Sequence, residues 1–133
     1  MGKQRLLNLL KKKRWLVVTG VPSIERTLLG NCLVGRVSGE MDYLTRTDFL
    51  ALFDALVHHR PPSLILDLSG VTFCDSAGLG ALLAAQRLAK ARDTVLALAC
   101  VPPPLRRILE LTGADQVLTL YGTVDDAVTA FGA

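Results

Sequence analysis

The chain has 133 residues, of which half are apolar and a fifth are charged, a composition that supports one domain with a substantial core and excludes disorder. No stretch approaches about eighteen uncharged apolar residues, so the sequence predicts no membrane span. The three cysteines, Cys32, Cys74 and Cys100, are far apart and form no CxxC pair. This spacing argues against a disulfide framework or a zinc site and favours a reducing, cytoplasmic setting.

The net charge of +3 is distributed unevenly along the chain. Residues 1–14 carry six basic residues, four leucines and no acid, whereas residues 15–133 carry nine basic and twelve acidic residues. We therefore divide the chain into a basic leader, 1–14, and a mildly acidic domain, 15–133, and expect no nucleic-acid partner. The leader lacks the features of a secretory signal. Contact between its leucines and an anionic membrane or a partner is one interpretation, but an ordinary extension that packs on the domain is favoured.

Short apolar runs alternate with longer periodic segments from residue 15 onward. The pattern predicts a strand at 15–19, a turn at 20–23, an unassigned stretch to residue 29 and a second strand at 32–38. An amphipathic helix is predicted over 43–59. Its apolar residues recur at three- and four-residue spacing: Leu44, Phe49, Leu52, Phe53, Leu56 and Val57.

The second half of the chain continues the alternation. The pattern predicts, in order, a strand at 63–68, a helix at 76–92, a buried strand at 94–101, a helix at 105–112, a strand at 116–121 and a helix at 124–131. The resulting order, ββαβαβαβα, is typical of an α/β fold with a mainly parallel sheet and crossover helices. The first two strands are expected to form one antiparallel pair at its edge.

The residues best suited to a functional site lie where the predicted strand 63–68 leads into the next helix. Ser76 falls in the first helical turn, and Asp75 is a suitable N-cap because its carboxylate can accept a hydrogen bond from a free amide. Gly78 and Gly80 lack side chains near the start of the helix, so another backbone or molecule can approach closely. Helix amino termini also favour anions.

Three functional interpretations compete with simple helix capping at this point. A dinucleotide-binding loop is disfavoured because G-x-G-x-x-G fails at its last position after Gly78, and no Walker-type Gly-Lys-Ser/Thr is present. A hydrolase nucleophile elbow is disfavoured because Cys74 replaces the required glycine and both histidines, His58 and His59, precede the serine. A phosphorylation switch at Ser76 is compatible with the residues. On the residues alone, an Asp-Ser helix cap remains the stronger alternative to such a switch.

Two sequence elements resemble a known family. The segment LILDLSGVTFCDSAGLGALL, residues 64–83, is similar to the signature of STAS domains, specifically the bacterial anti-sigma factor antagonists. The upstream segment VSGEMD, residues 37–42, resembles the G-E-L-D element of that family, with Met in place of Leu. The spacing of the two elements and the ββαβαβαβα order also match, over about residues 15–131. The resemblance implies the STAS fold.

The resemblance also implies a regulatory binding protein rather than an enzyme. In that family an anti-sigma factor, a serine kinase of the histidine-kinase-like ATPase type, binds the unphosphorylated antagonist and releases its sigma factor. Phosphorylation weakens the binding, and a PP2C-type phosphatase restores it. ATP enters with the kinase, so the resemblance implies no cofactor and no metal on this chain.

Carried over to this sequence, the family motif makes Ser76 the phosphoacceptor. It implies a partner-binding surface formed by Asp75, Ala77, Gly78 and Leu79, with Gly39, Glu40, Met41 and Asp42 beside it. The alternative is a STAS-domain scaffold or an accessory module of a stress-signalling or membrane-transport complex, in which Ser76 only caps a helix. The long basic leader and the stretch 20–30, which resembles an enlarged first hairpin, depart from the family pattern.

Overall fold

The computed structural model describes residues 23–131, which form one five-stranded sheet in the spatial order β1-β2-β3-β4-β5. The strands are β1 (Ser23–Leu29), β2 (Cys32–Met41), β3 (Ser63–Cys74), β4 (Val95–Ala99) and β5 (Leu120–Tyr121). The β1 and β2 strands pair antiparallel, and every other neighbouring pair is parallel. The predicted α/β fold with one antiparallel edge pair is therefore confirmed.

Within residues 23–131, four α-helices and one short 3₁₀-helix connect or follow the strands. The helices are α1 (Arg46–His58), α2 (Ser76–Ala91), α3 (Pro103–Thr112) and α4 (Val124–Ala130), with the 3₁₀-helix at Ala114–Gln116. Between residues 23 and 131, no helix has the length and apolar character needed to cross a membrane.

The sheet separates two apolar clusters, because successive residues of a strand point to opposite faces. In β3, Leu64, Leu66 and Leu68 pack with α1, α2 and α3 in the larger cluster, whereas Ile65 joins the smaller cluster beneath α4. The β4 residues after Val95 are buried on both faces, as predicted for this segment.

The first strand of the predicted order is not where the pattern placed it. The unassigned stretch before residue 30 is the regular strand β1, and a tight turn at Gly30 and Asn31 joins it to β2. The expected enlarged hairpin is therefore wrong for residues 23–30, and Ser23 belongs to the strand rather than to a turn. The predicted strand 15–19 and the basic leader lie outside the described residues.

Several further boundaries differ from the sequence pattern, among them the end of β2, which lies at Met41 and not at the predicted residue 38. Helix α1 begins at Arg46, so Leu44 is not part of its buried face; its side chain is 81% exposed. Strand β3 continues past residue 68 to Cys74, because β2 keeps pairing with it through two register shifts. Strand β5 is reduced to two residues, since Gln116 ends a 3₁₀-helix and Val117 follows outside the sheet.

Candidate functional site around Ser76

Ser76 lies at the junction between the end of β3 and the start of α2. Asp75 is the N-cap residue of α2, and its Oδ1 accepts a hydrogen bond from the Gly78 amide at 2.9 Å. The capping role predicted for Asp75 is thus confirmed. Ser76 is exposed, and its hydroxyl has no hydrogen-bond partner within the part of the chain that the structure describes. The hydroxyl is therefore free to react with or contact another molecule.

Asp75 also joins the two sequence elements that the family resemblance singled out. Its amide donates to the Met41 carbonyl at 3.2 Å, and its Oδ2 accepts from the Tyr43 amide at 3.3 Å. The end of β2 and the start of α2 are therefore held side by side by one residue. Glu40 and Met41 also pair with Phe73 and Cys74 in the sheet. The structure thus brings the segment 39–42 next to Ser76.

The closeness of these elements depends on a missing side chain at residue 78. A Cβ placed on Gly78 would lie 2.1 Å from the Met41 carbonyl oxygen and 2.7 Å from Cys74 Sγ. Both distances are shorter than real Cβ contacts, so only glycine fits. Gly80, by contrast, has no atom within 4 Å of the corresponding position. The close approach expected at these two glycines therefore occurs at Gly78, and the group that approaches is the chain's own backbone.

The loop after β2 is ordered by its own side chains. The Asp42 carboxylate accepts hydrogen bonds from the Leu44 amide at 2.9 Å and the Thr45 amide at 3.0 Å. The buried Thr45 hydroxyl donates to the Glu40 carbonyl at 2.8 Å and accepts from the Asp42 amide at 2.9 Å. Asp42 therefore shapes the loop. Thr45 has a supporting role that sequence analysis missed, although the D-x-x-T spacing of a capped turn signals it.

The eight residues expected to bind a partner differ in their exposure. Met41, Gly78 and Leu79 are buried, so they support the surface from beneath. The other five are partly exposed: Gly39, Glu40, Asp42, Asp75 and Ala77. The predicted set therefore contains both surface residues and the packing residues that hold them in place.

Three exposed apolar residues lie within a few positions of these polar residues in the chain, and sequence analysis did not identify them as part of the site. Tyr43 is 74% exposed and Leu44 81% exposed on the β2 side, and Phe73 is 53% exposed immediately before Cys74. Neighbouring exposed apolar side chains, such as those of Tyr43 and Leu44, indicate an interaction surface more strongly than isolated ones. Apolar periodicity alone placed Leu44 in the core, so no local signal separated it from a packing residue.

The two histidines lie far from Ser76. His58 and His59 are at the carboxyl end of α1, before β3 begins at Ser63. Ser76 follows the opposite end of β3, and a strand of this length spans roughly 35–40 Å. The position of these side chains therefore offers Ser76 no general base. Among residues 23–131, no group of three or more His, Cys, Asp or Glu side chains is arranged to hold a metal ion.

Cys74 is the nearest thiol to the site, and its environment makes it unreactive. Burial, and secondarily the adjacent Asp75 carboxylate, raises the pKa of Cys74 to about 11. Because the thiolate is the nucleophile, we expect alkylation of Cys74 in the folded protein to be slow at pH 8 and to rise about tenfold per pH unit up to pH 10. Peptide-resolved mass spectrometry after brief iodoacetamide treatment measures this. The urea-unfolded chain is the control, and a folded-state plateau near pH 9 would contradict the assignment.

Comparison with known proteins gives this geometry a family context. The STAS domain family profile matches residues 23–127, which is most of the chain. The chain belongs to the STAS-domain family. It is 30% identical over 98 residues to the anti-sigma F factor antagonist of Paenibacillus polymyxa, covering 73% of this chain and 84% of that protein. It is also 30% identical over 93 residues to the anti-sigma-F factor antagonist RsfB of Mycobacterium tuberculosis, covering 70% and 75%.

The fold comparison agrees with the sequence comparison. The crystal structure of an anti-sigma factor antagonist from Mycobacterium paratuberculosis superposes with a TM-score of 0.75 at 35% identity, covering 86% of this chain and 97% of that one. The STAS fold and the relationship to anti-sigma factor antagonists, both expected from the two motifs, are therefore confirmed. The described STAS domain carries the exposed serine and the acidic and apolar surface around it.

Proposed function

We propose that this protein is an anti-sigma factor antagonist whose binding to an anti-sigma serine kinase is controlled by phosphorylation of Ser76. The observation that carries the proposal is the exposed Ser76 hydroxyl at the amino end of a capped helix, which has no hydrogen-bond partner among residues 23–131. The unphosphorylated chain binds the kinase, which then releases its sigma factor for transcription. The similarity to anti-sigma factor antagonists supports this regulatory role in the bacterial cytoplasm.

The partner contacts are proposed to come from the exposed groups around Ser76. The polar part of this proposed surface is formed by Gly39, Glu40, Asp42, Asp75 and Ala77. Its apolar part is formed by Tyr43, Leu44 and Phe73. The buried residues Met41, Gly78 and Leu79 hold these groups in register. Aromatic and other apolar side chains beside polar groups are typical of protein interfaces.

Phosphate on Ser76 would change this surface without unfolding it. A phosphoserine carries roughly −1.5 to −2 charge at neutral pH, and the amino end of α2 stabilises nearby anions. The phosphate would, however, lie beside the Asp75 carboxylate and among apolar side chains that the partner must desolvate. The added negative charge beside Asp75 and the free-energy cost of removing water from the phosphate then oppose docking. A shift from 1:99 to 99:1 occupancy needs about 5.5 kcal/mol of differential affinity.

The test uses wild type, Ser76→Asp and Thr129→Asp as baits in lysate of the source cells, with captured proteins identified by mass spectrometry. Thr129 is exposed on α4, on the other face of the sheet, so its substitution adds the same charge away from the site. We expect wild type and Thr129→Asp to capture a histidine-kinase-like ATPase and Ser76→Asp to lose it. The purified kinase and ATP should then phosphorylate Ser76, and a PP2C-type phosphatase should reverse the reaction.

Equal capture of the same partners by all three baits would contradict the switch. That result would favour the alternative, a STAS scaffold in which Asp75 and Ser76 only start α2. Phosphorylation of another residue by the captured kinase would contradict the assignment of Ser76 while leaving the antagonist role intact.

A further inference from the structure

Strand β3 extends well past its neighbour β4. The last β3–β4 pair joins Asp67 to Ala99, and β3 then continues to Cys74 with β2 on one side only. Within the described part of the chain, the opposite edge of residues 68–74 has no neighbouring strand. The Ser69 amide donates to Asp67 Oδ1 at 2.9 Å. Further along, at residues 70–74, no strand among the described residues occupies that edge, which leaves it open for pairing with another chain.

Helix α3 forms the second wall of a groove over this free edge. The groove has a volume of about 390 Å³, within the size range of binding pockets. Its apolar lining residues include Val71 and Phe73 from β3 and Pro104, Leu105 and Ile108 from the chain at α3. Phe73 is 53% exposed, so an aromatic ring at the groove remains available to a binding partner. Residues that dominate the binding energy of an interface are often aromatic and often lie in such apolar pockets.

The groove and the proposed phosphorylation site are continuous. Cys74 lines the groove, and Ser76 is two residues further along the chain. A protein bound over Ser76 therefore also covers the near end of the groove. This continuity, together with the free strand edge, identifies the occupant as an extended segment of the partner protein: backbone pairing serves a peptide, and the apolar walls receive one of its side chains.

We propose that the anti-sigma kinase inserts an extended segment with an apolar side chain into the groove between β3 and α3. The segment pairs with the free edge of β3, and its apolar side chain packs against Phe73, Pro104 and Ile108. This inference rests on the proposed function and adds a second contact that Ser76 phosphorylation does not directly touch.

The test compares two neighbouring prolines in the first turn of α3. Pro104 lines the groove, whereas Pro103 lines the adjacent surface with Arg106 and Arg107. Both prolines are exposed, and a carboxylate in the first turn of a helix is favourable, so Pro104→Glu and Pro103→Glu should both fold. Calorimetry with the kinase captured by the wild-type chain should show at least tenfold weaker binding for Pro104→Glu. Pro103→Glu should remain within twofold of wild type.

Hydrogen exchange supplies an independent readout of strand pairing. Kinase binding should slow exchange of amides on the free edge of residues 71–74 in wild type, beyond any protection near Ser76. The groove contact would be overturned if Pro104→Glu bound the kinase as tightly as wild type does. It would also be overturned if kinase binding left amide exchange at residues 71–74 unchanged. If Ser76→Asp still weakens binding in that case, the proposed function stands alone. A wild-type chain that captures no kinase would overturn both proposals.

Discussion

Gly78→Ala is expected to destabilise the fold by about 3 kcal/mol, because its new Cβ would overlap the Met41 carbonyl oxygen. That oxygen belongs to the backbone and accepts a hydrogen bond from the Asp75 amide, so it cannot move away without breaking the contact between β2 and α2. Urea unfolding followed by circular dichroism measures the loss. We also expect weaker partner capture, since the same contact holds the segment 39–42 beside Ser76.

Gly80→Ala is the matched control for this prediction. It changes the same residue type in the same helix, but no atom lies within 4 Å of the added Cβ. Because glycine in a helix is less favourable than alanine, Gly80→Ala should stabilise the protein by about 0.5–1 kcal/mol. Similar destabilisation by both substitutions would show that helix conformation, and not the approach of Met41, determines the requirement for glycine.

Leu66→Ala is expected to reduce the free energy of unfolding by about 2–5 kcal/mol. Leu66 is fully buried in the first half of β3, where it belongs to the larger apolar cluster, so its truncation leaves a cavity that the surrounding helices fill only in part. Leu79 belongs to the same cluster and is buried at 8% exposure, so its truncation should cost a similar or smaller amount. Thermal and urea denaturation measure both variants.

Ser76→Ala distinguishes a functional from a structural requirement in the same assay. The helix cap comes from the Asp75 carboxylate, and the Ser76 hydroxyl has no partner among residues 23–131. We therefore expect a stability change within about 0.5 kcal/mol, the range usual for surface substitutions. The variant should nevertheless resist phosphorylation. A loss approaching that of Leu66→Ala would mean that the hydroxyl stabilises the fold.

Most of the secondary structure follows from local pattern and was predicted. The buried run that contains β4 and the periodic segments of α2 and α3 were found because their apolar residues repeat at the spacing of the element they form. The errors fall where local pattern is ambiguous. In β1 most side chains are exposed, which leaves little periodicity to detect, and β5 is too short to dominate its surroundings.

The polar half of the candidate site was also accessible from the sequence. An Asp-Ser pair before a helix predicts the cap at Asp75, and the resemblance to STAS domains singled out Ser76 and the segment 39–42. The apolar half was not accessible. Leu44 and Phe73 have the same chemistry as core residues, and their exposure depends on where α1 starts and on how far β3 extends past β4.

The amino-acid sequence by itself determined the order of elements, the helix cap at Asp75 and the absence of side chains at Gly78, because these depend on residue type and on neighbours within a few positions. Only the tertiary structure decided that Asp75 would meet Tyr43, 32 residues away, and that a Cβ at Gly78 would strike Met41. Such contacts depend on the register between β2 and β3, which is set by the packing of both faces of the sheet. The surface around Ser76 is a product of that register.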